Sequence, residues 1–117
     1  CKEDIVNMVS SVFELAGAKV THNEGYPGWK PNPESEILKV AQKTYTELFN
    51  EEPLIKAIHA GLECGLFLEK YPQLDMISIG PTMTDVHSPN ERLNIPSVAK
   101  WWDFLVKLLE NIPAKAE

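Results

Sequence analysis

The stretch IGPTMTDVHSPNERL, residues 79–93, carries the strongest indication of how this chain folds. Just before it, residues 75–79 form a short apolar run typical of a buried strand. The run leads into a polar loop that carries His87 and the acids Asp85 and Glu91. In α/β proteins, ligands and metals bind in loops just beyond the carboxyl ends of strands. Because the loop lacks apolar periodicity, we expect something other than core packing to order it.

Alternating helical and strand patterns extend outward from this loop. Downstream, apolar residues recur at helical spacing over residues 96–112, with Asn94 as a candidate N-cap and Pro96 suited to the first turn. Upstream, the patterns predict, in chain order, a helix over 34–49, a strand over 54–60 and a helix over 62–71. Gly61 and Gly65 would let this last helix approach another backbone closely.

The order α-β-α-β-α implies parallel strands with helices on the faces of the sheet. The predicted fold class is therefore α/β, a partial three-layer α/β/α sheet. Two strands alone make a poor sheet, which indicates that further strands belong to the same protein.

The first 33 residues differ from the rest. A helical face runs from Ile5 to Ala16, Gly17 is a stop signal, and residues 18–23 read as a short strand. Residues 24–33 hold three prolines and two glycines, so they continue neither a helix nor a central strand. We place the domain boundary in this connector, with residues 1–30 as one part and residues 31–117 as the other.

Composition narrows the function classes. The 117 residues are 44% hydrophobic and 24% charged, with a net charge of −6, which is typical of a globular domain. An acidic balance argues against nucleic acid as a partner. The apolar runs are shorter than the ~20 residues of a membrane span. Two cysteines make no disulfide framework, and the cytoplasm is the default location.

Three motifs carry a family resemblance. Residues 85–91, DVHSPNE, resemble the last metal-ligand loop of the di-zinc metallopeptidase family that contains carnosinases, tripeptidase and acetylornithine deacetylase. Residues 57–65, AIHAGLECG, and residues 25–29, GYPGW, are similar to the aminoacyl-histidine dipeptidase subgroup. The resemblance runs from about Asp4 to Ile112 and matches the C-terminal portion of these longer enzymes. It implies that residues 1–30 end a lid or dimerisation domain and that residues 31–117 complete the catalytic domain.

The resemblance also implies a chemistry. Taken alone, His87 reads as a surface histidine, but the longer match makes it a ligand of one of two zinc ions. Those ions would activate a water molecule for dipeptide hydrolysis. The general base and the other ligands of the resembling enzymes lie upstream, so no catalytic residue is assigned within this chain. Because a catalytic zinc needs about three protein ligands, we expect the 117-residue chain alone to bind no zinc and to be inactive.

Five residues are candidates for substrate binding, and each has a structural alternative. His59 could be a core-edge histidine bonded to backbone, and Glu63 an exposed acid at a helix start. The backbone amides of Gly80 and Thr82, or the threonine hydroxyl, suit a substrate carboxylate, although a tight turn explains the glycine equally well. Glu91 suits a residue that orients a ligand or a substrate amine, with a surface capping role as the alternative.

Two functions of different class remain open. The first is part of a cytoplasmic zinc dipeptidase that hydrolyses Xaa-His dipeptides. The second is a freestanding small α/β module with a binding or dimerisation role and no metal chemistry. Under the first hypothesis the apolar stripes of helices 34–49 and 96–112 exceed what two strands cover. We therefore expect the chain either to pair with another copy, as a homo-oligomer, or to show large apolar patches.

Overall fold

Four helices and one small sheet make up the regular structure of the part of the chain that the structure describes. The computed structural model describes residues 2–23, 25, 27–57 and 63–113. Its elements are α1 Lys2–Leu15, α2 Glu36–Phe49, α3 Cys64–Lys70, β1 Met83–Thr84, β2 Arg92–Leu93 and α4 Ile95–Asn111. This mixture of helices with a small sheet is consistent with the predicted α/β class. All four predicted helices are present.

Local capping sets the ends of α2. The Ser35 hydroxyl accepts the N–H of Leu38 at 3.1 Å, which satisfies one of the free donors of the first turn. At the other end, Asn50 adopts a left-handed conformation, with φ of 52°, and its N–H donates to the Thr46 carbonyl. Both ends agree with the predicted helix over 34–49.

A second cap on α2 comes from a distant part of the chain. The Ile37 N–H donates to Asp75 Oδ2 at 3.0 Å, across 38 positions of sequence. Hydrogen bonds from Ser35 and from the Ile37 N–H hold the pKa of the Asp75 carboxyl below its ordinary value of 3.8. This carboxylate therefore ties the segment that follows α3 to the start of α2.

The core lies between α2 and α4. Ala41 of α2 is buried against Phe104 and Leu108 of α4, and the Tyr45 ring meets the Phe104 ring edge-on with centroids 5.4 Å apart. Thr44 is 1% exposed, and its hydroxyl accepts an N–H of the Asn111 side chain at 2.9 Å. The two amphipathic helices thus pack along the apolar stripes that the sequence predicted.

Lys100 is an exposed residue of α4 that contacts the aromatic side chains of α2. Its Nζ lies 4.9 Å from the centre of the Tyr45 ring and 4.5 Å from that of Phe49. The same ammonium pairs with Glu51 Oε2 at 3.3 Å. It is therefore placed for cation–π contacts with two aromatic side chains of α2.

Helix α1 contributes nothing to this core. It contains no buried residue, and its apolar face, with Ile5, Met8 and Val12, is exposed. Gly17 ends the helix region with φ of +82°, a conformation that suits glycine and confirms the predicted stop. The predicted helix is confirmed.

Helix α3 approaches the connector closely. Gly65 is buried, and a Cβ at this position would collide with the backbone carbonyl of Pro27. The prediction that Gly65 permits a close backbone approach is confirmed, whereas Gly61 lies outside the described residues. The absence of a side chain therefore lets α3 dock on residues that precede α2.

The predicted strands do not form within the described residues of this chain. Residues 18–23, 54–57 and 75–79 have no regular secondary structure, so the predicted parallel pair is absent, and residues 58–60 lie outside the described part. The reason is that a strand needs a hydrogen-bonded neighbour, and an apolar run alone does not supply one. Ile77 nevertheless packs against the core cluster, as a buried apolar run would.

Candidate functional site

A short β-hairpin holds the candidate site. Its two strands are antiparallel, and the paired residues are Met83 with Leu93 and Thr84 with Arg92. The connecting loop, residues 85–91, is the segment on which the predicted metal ligand lies. The hairpin itself was not predicted, because its strands are two residues long and exposed, and so leave no apolar alternation in the sequence.

Turn hydrogen bonds order the loop. The Ser88 N–H donates to the Asp85 carbonyl at 3.1 Å, and the Glu91 N–H donates to the Ser88 carbonyl at 3.1 Å. The Ser88 hydroxyl accepts the Asn90 N–H, also at 3.1 Å. Local hydrogen bonds therefore order this loop, in agreement with the expectation that core packing does not.

His87 lies at the middle of the loop in an unusual backbone conformation. Its φ is 64° and that of Asp85 is 52°, both in the left-handed region. Such a conformation costs a residue other than glycine about 1–2 kcal/mol, so surrounding contacts must hold it. The His87 side chain is exposed, and the backbone N–H of His87 donates to Glu91 Oε2 at 2.9 Å. The structure thus brings together two of the predicted site residues.

The base of the hairpin is tied to the start of α4. The Asn94 N–H donates to the Thr82 carbonyl at 3.0 Å, and the Thr82 N–H donates to the Ser97 hydroxyl at 2.8 Å. Asn94 also caps α4, because its side-chain oxygen accepts the Ser97 N–H at 3.0 Å. The predicted cap is confirmed. Ser97 was not among the predicted residues, although its spacing from the cap residue is that of an N-terminal helix turn.

Gly80 and Thr82 line a groove beside the hairpin. The groove has a volume of about 950 Å³. One side is formed by the connector together with residues 53–57 and 76–82, and the other by the facing sides of α2 and α4. One of the two backbone amides proposed to bind a carboxylate, that of Thr82, already donates to Ser97. The Gly80 amide and the Thr82 hydroxyl are the groups that remain of the predicted set.

The other predicted substrate residues are not gathered around His87. Glu63 is exposed at the start of α3, and its side chain makes no capping hydrogen bond there. His59 lies outside the described residues. Cys64 is half-buried and forms no disulfide.

The described residues do not form a complete metal centre. Within residues 2–23, 25, 27–57 and 63–113, no group of three or more His, Cys, Asp or Glu side chains is placed to hold an ion. The loop presents the His87 imidazole and the carboxylates of Asp85 and Glu91, of which the Glu91 carboxylate already accepts a backbone N–H, and the three side chains do not form a group placed to hold an ion. A catalytic zinc needs about three protein ligands, so these residues fit one contribution to a metal site and not the whole of it.

Comparison with known proteins is consistent with this partial site. Residues 4–111 match peptidase family M20/M25/M40. The chain is 50% identical over 114 residues to the cytosol non-specific dipeptidase of Escherichia coli (strain K12), covering 97% of this chain and 24% of that protein. The crystal structure of an aminoacylhistidine dipeptidase from Vibrio alginolyticus superposes with a TM-score of 0.73 at 48% identity, covering 97% of this chain and 23% of that one.

The chain therefore spans about a quarter of the length of these two relatives. The family match extends through α1, the connector, the hairpin and α4, and both relatives are far more similar in sequence than the shared fold alone would require. On this ground the chain belongs to peptidase family M20/M25/M40.

Proposed function

We propose that this chain forms part of a metal-dependent dipeptidase that hydrolyses Xaa-His dipeptides in the cytoplasm. The observation that carries the proposal is the exposed His87, held in a left-handed conformation on a hydrogen-bonded hairpin loop. Backbone strain of this kind persists where the surroundings hold it, and such positions cluster at functional sites. The membership of the family supports the hydrolase class.

The metal is the second part of the proposal. Peptidases of this family are generally metal-dependent, and we propose two zinc ions in the complete active site. His87 would supply one neutral imidazole ligand. The remaining ligands and the general base would come from the part of the protein upstream of this chain, so we propose that the 117-residue chain by itself binds no zinc pair and does not hydrolyse peptides.

The substrate specificity is the third part of the proposal, and the two relatives differ in their names. One is called an aminoacylhistidine dipeptidase and the other a non-specific dipeptidase. We propose preference for a C-terminal histidine, with the Gly80 amide and the Thr82 hydroxyl facing the substrate carboxylate in the groove that they line. His59, Glu63 and Glu91 are the other members of the predicted substrate-binding set.

The wider architecture follows the same proposal. Residues 1–30 would end a lid or dimerisation domain, since α1 buries none of its residues against the rest of the described chain. Residues 31–117 would belong to a three-layer catalytic domain, in which 54–60 and 75–79 gain strand neighbours from the rest of the protein. The exposure of Leu54 and Ile79 supports this placement. We further propose a homo-oligomer, which would cover the apolar face of α1.

The proposal also includes two expectations about partners, namely that the protein binds neither nucleic acid nor a membrane. The net charge of −6 supports the absence of a nucleic-acid partner. None of the described helices is both long and apolar enough to cross a bilayer.

The test is a His87→Ala substitution in the full-length protein, with zinc content and hydrolysis of an Xaa-His dipeptide as readouts. We expect the loss of one zinc ion or of most activity, and loss of activity in the unsubstituted enzyme on addition of a chelator. The matched control is His22→Ala, an exposed histidine on the segment after α1, which should change neither. A His87→Ala enzyme with full zinc and normal turnover would refute the proposed site.

A further inference from the structure

Glu91 reaches back across the hairpin loop to the backbone of the predicted metal ligand. Its Oε2 accepts the His87 N–H at 2.9 Å, while its own N–H donates to the Ser88 carbonyl at 3.1 Å. The two ends of this residue therefore contact different parts of the same loop. A carboxylate held in this way closes a small ring of hydrogen bonds around His87.

The closed ring matters because His87 adopts a costly conformation. A φ of 64° is disfavoured for a residue with a Cβ, and the His87 side chain is exposed rather than buried in the core. Within residues 85–91, the bonds between Asp85, Ser88 and Glu91 shape the chain on either side. The bond from Glu91 is the one in this loop that engages the His87 main chain.

We infer that Glu91 is a positioning residue, whose carboxylate holds the His87 main chain so that the imidazole is presented to the metal in one orientation. This inference rests on the proposed function, because it takes His87 to be a metal ligand. It differs from a role in orienting a substrate amine, which would depend on the negative charge. To hold the His87 N–H, residue 91 needs an acceptor oxygen at hydrogen-bonding distance, and the negative charge of the carboxylate contributes less than this distance.

Two conservative variants of Glu91 separate the effect of its negative charge from the effect of its side-chain length. Glu91→Gln keeps the length of the side chain and an acceptor oxygen but removes the charge. Glu91→Asp keeps the charge but shortens the side chain by one methylene, so that its oxygens fall short of the His87 N–H. The inference predicts that Gln resembles the wild type and that Asp resembles Glu91→Ala.

The experiment uses the full-length protein and has two readouts. Zinc affinity is measured by competition with a chromophoric chelator, and hydrogen exchange is measured by mass spectrometry on the peptide that contains residues 85–91 of the metal-free protein. In Glu91→Ala and Glu91→Asp we expect zinc affinity to fall by about 10–100-fold, as for partners that orient metal ligands. We expect the corresponding amide to exchange about ten-fold faster. Glu91→Gln should stay within about three-fold of wild type in both measurements.

Two control variants separate the inference from the proposed function and from general unfolding. Glu69→Ala removes an exposed acid from α3 and should leave both readouts unchanged. His87→Ala should lose zinc yet keep the slow amide exchange, because the main-chain donor to Glu91 remains. Unchanged exchange in α2 and α4 would show that each variant is folded.

Each remaining outcome has a definite meaning. If Glu91→Gln is as damaging as Glu91→Ala while Glu91→Asp is mild, the charge acts directly and the positioning role is overturned. If all three Glu91 variants keep wild-type zinc affinity while His87→Ala loses the metal, the inference fails and the proposed function stands. If His87→Ala retains its zinc, the proposed function itself fails.

Discussion

Asp75 offers the sharpest test of how the described part of the chain is held together. Replacing it by Ala removes the acceptor of the Ile37 N–H, 3.0 Å away, and the hydrogen bond to Ser35. Ile37 is in the first turn of α2, where the N–H groups have no partner within the helix. The Ser35 hydroxyl at the same helix start already accepts the Leu38 N–H.

The expected cost follows from capping energetics. Loss of a side-chain cap costs about 0.5–2 kcal/mol, and loss of a negative charge at a helix N-terminus adds about 0.3–1 kcal/mol. The two terms sum to about 0.8–3 kcal/mol. Because the Asp75 carboxylate is exposed, solvent screening keeps the expected cost in the lower half of this range, about 1–1.5 kcal/mol. Asp75→Asn retains an acceptor oxygen, so about half of this cost is expected. The larger figure corresponds to about a ten-fold change in a local opening equilibrium.

Amide hydrogen exchange at the start of α2 measures this effect directly. In Asp75→Ala the amides of residues 37–39 should exchange about five- to ten-fold faster, and those of residues 75–77 should become faster as well. The matched control is Asp103→Asn, an exposed acid of α4. If Asp75→Ala leaves exchange at residues 37–39 unchanged, the long-range cap does not contribute and the reasoning is refuted.

The same bond predicts a pH dependence with a definite sign. The pKa of Asp75 is lowered in the folded chain, first by the hydrogen bond from Ser35 and then by the Ile37 N–H. A lowered pKa means that the stabilisation is fully present above the ordinary value of 3.8 and is lost as the pH falls through the folded value. Protection of the α2 start should therefore decrease below about pH 4 in the wild type, and this step should be absent in Asp75→Asn.

Two further predictions concern packing. Thr44→Val would leave the partly buried Asn111 amide without its acceptor. We expect the free energy of unfolding, measured by urea titration, to fall by about 1–3 kcal/mol, and Thr44→Ser to stay close to the wild type. A wild-type midpoint in Thr44→Val would contradict this. Gly65→Ala should push α3 away from the Pro27 carbonyl and speed exchange in α3, whereas Gly28→Ala, where a Cβ meets open space, serves as the control. Equal exchange rates in both variants would show that the close approach is not needed.

The helices are the elements that the sequence predicts well. The start of α2 near Ser35 and the cap of α4 at Asn94 were recognisable because capping residues act on N–H groups two or three positions away. The apolar stripes of these two helices likewise predicted the faces that pack together. Helical hydrogen bonds join residues four apart, so the information needed is local.

The strands and the sheet could not be predicted in the same way. Residues 54–57 and 75–79 have strand-like composition, yet the pairing that the structure contains is in the exposed hairpin of β1 and β2. Whether an apolar run becomes a strand depends on a neighbour that can lie anywhere in the protein. The composition of the run carries no information about that neighbour.

Local sequence patterns also predicted one part of the candidate site, whereas contacts between distant residues decided the other. By itself the sequence determined the helices, the family resemblance and the choice of His87 and Glu91, because these depend on residue types at short spacing. Only the tertiary structure decided that Glu91 holds the His87 backbone, that Asp75 caps a helix 38 positions away and that Ser97 anchors the hairpin. Each of these contacts forms between groups that the folded chain brings within about 3 Å, and hydrogen bonding at that range depends on position in space rather than on position in sequence.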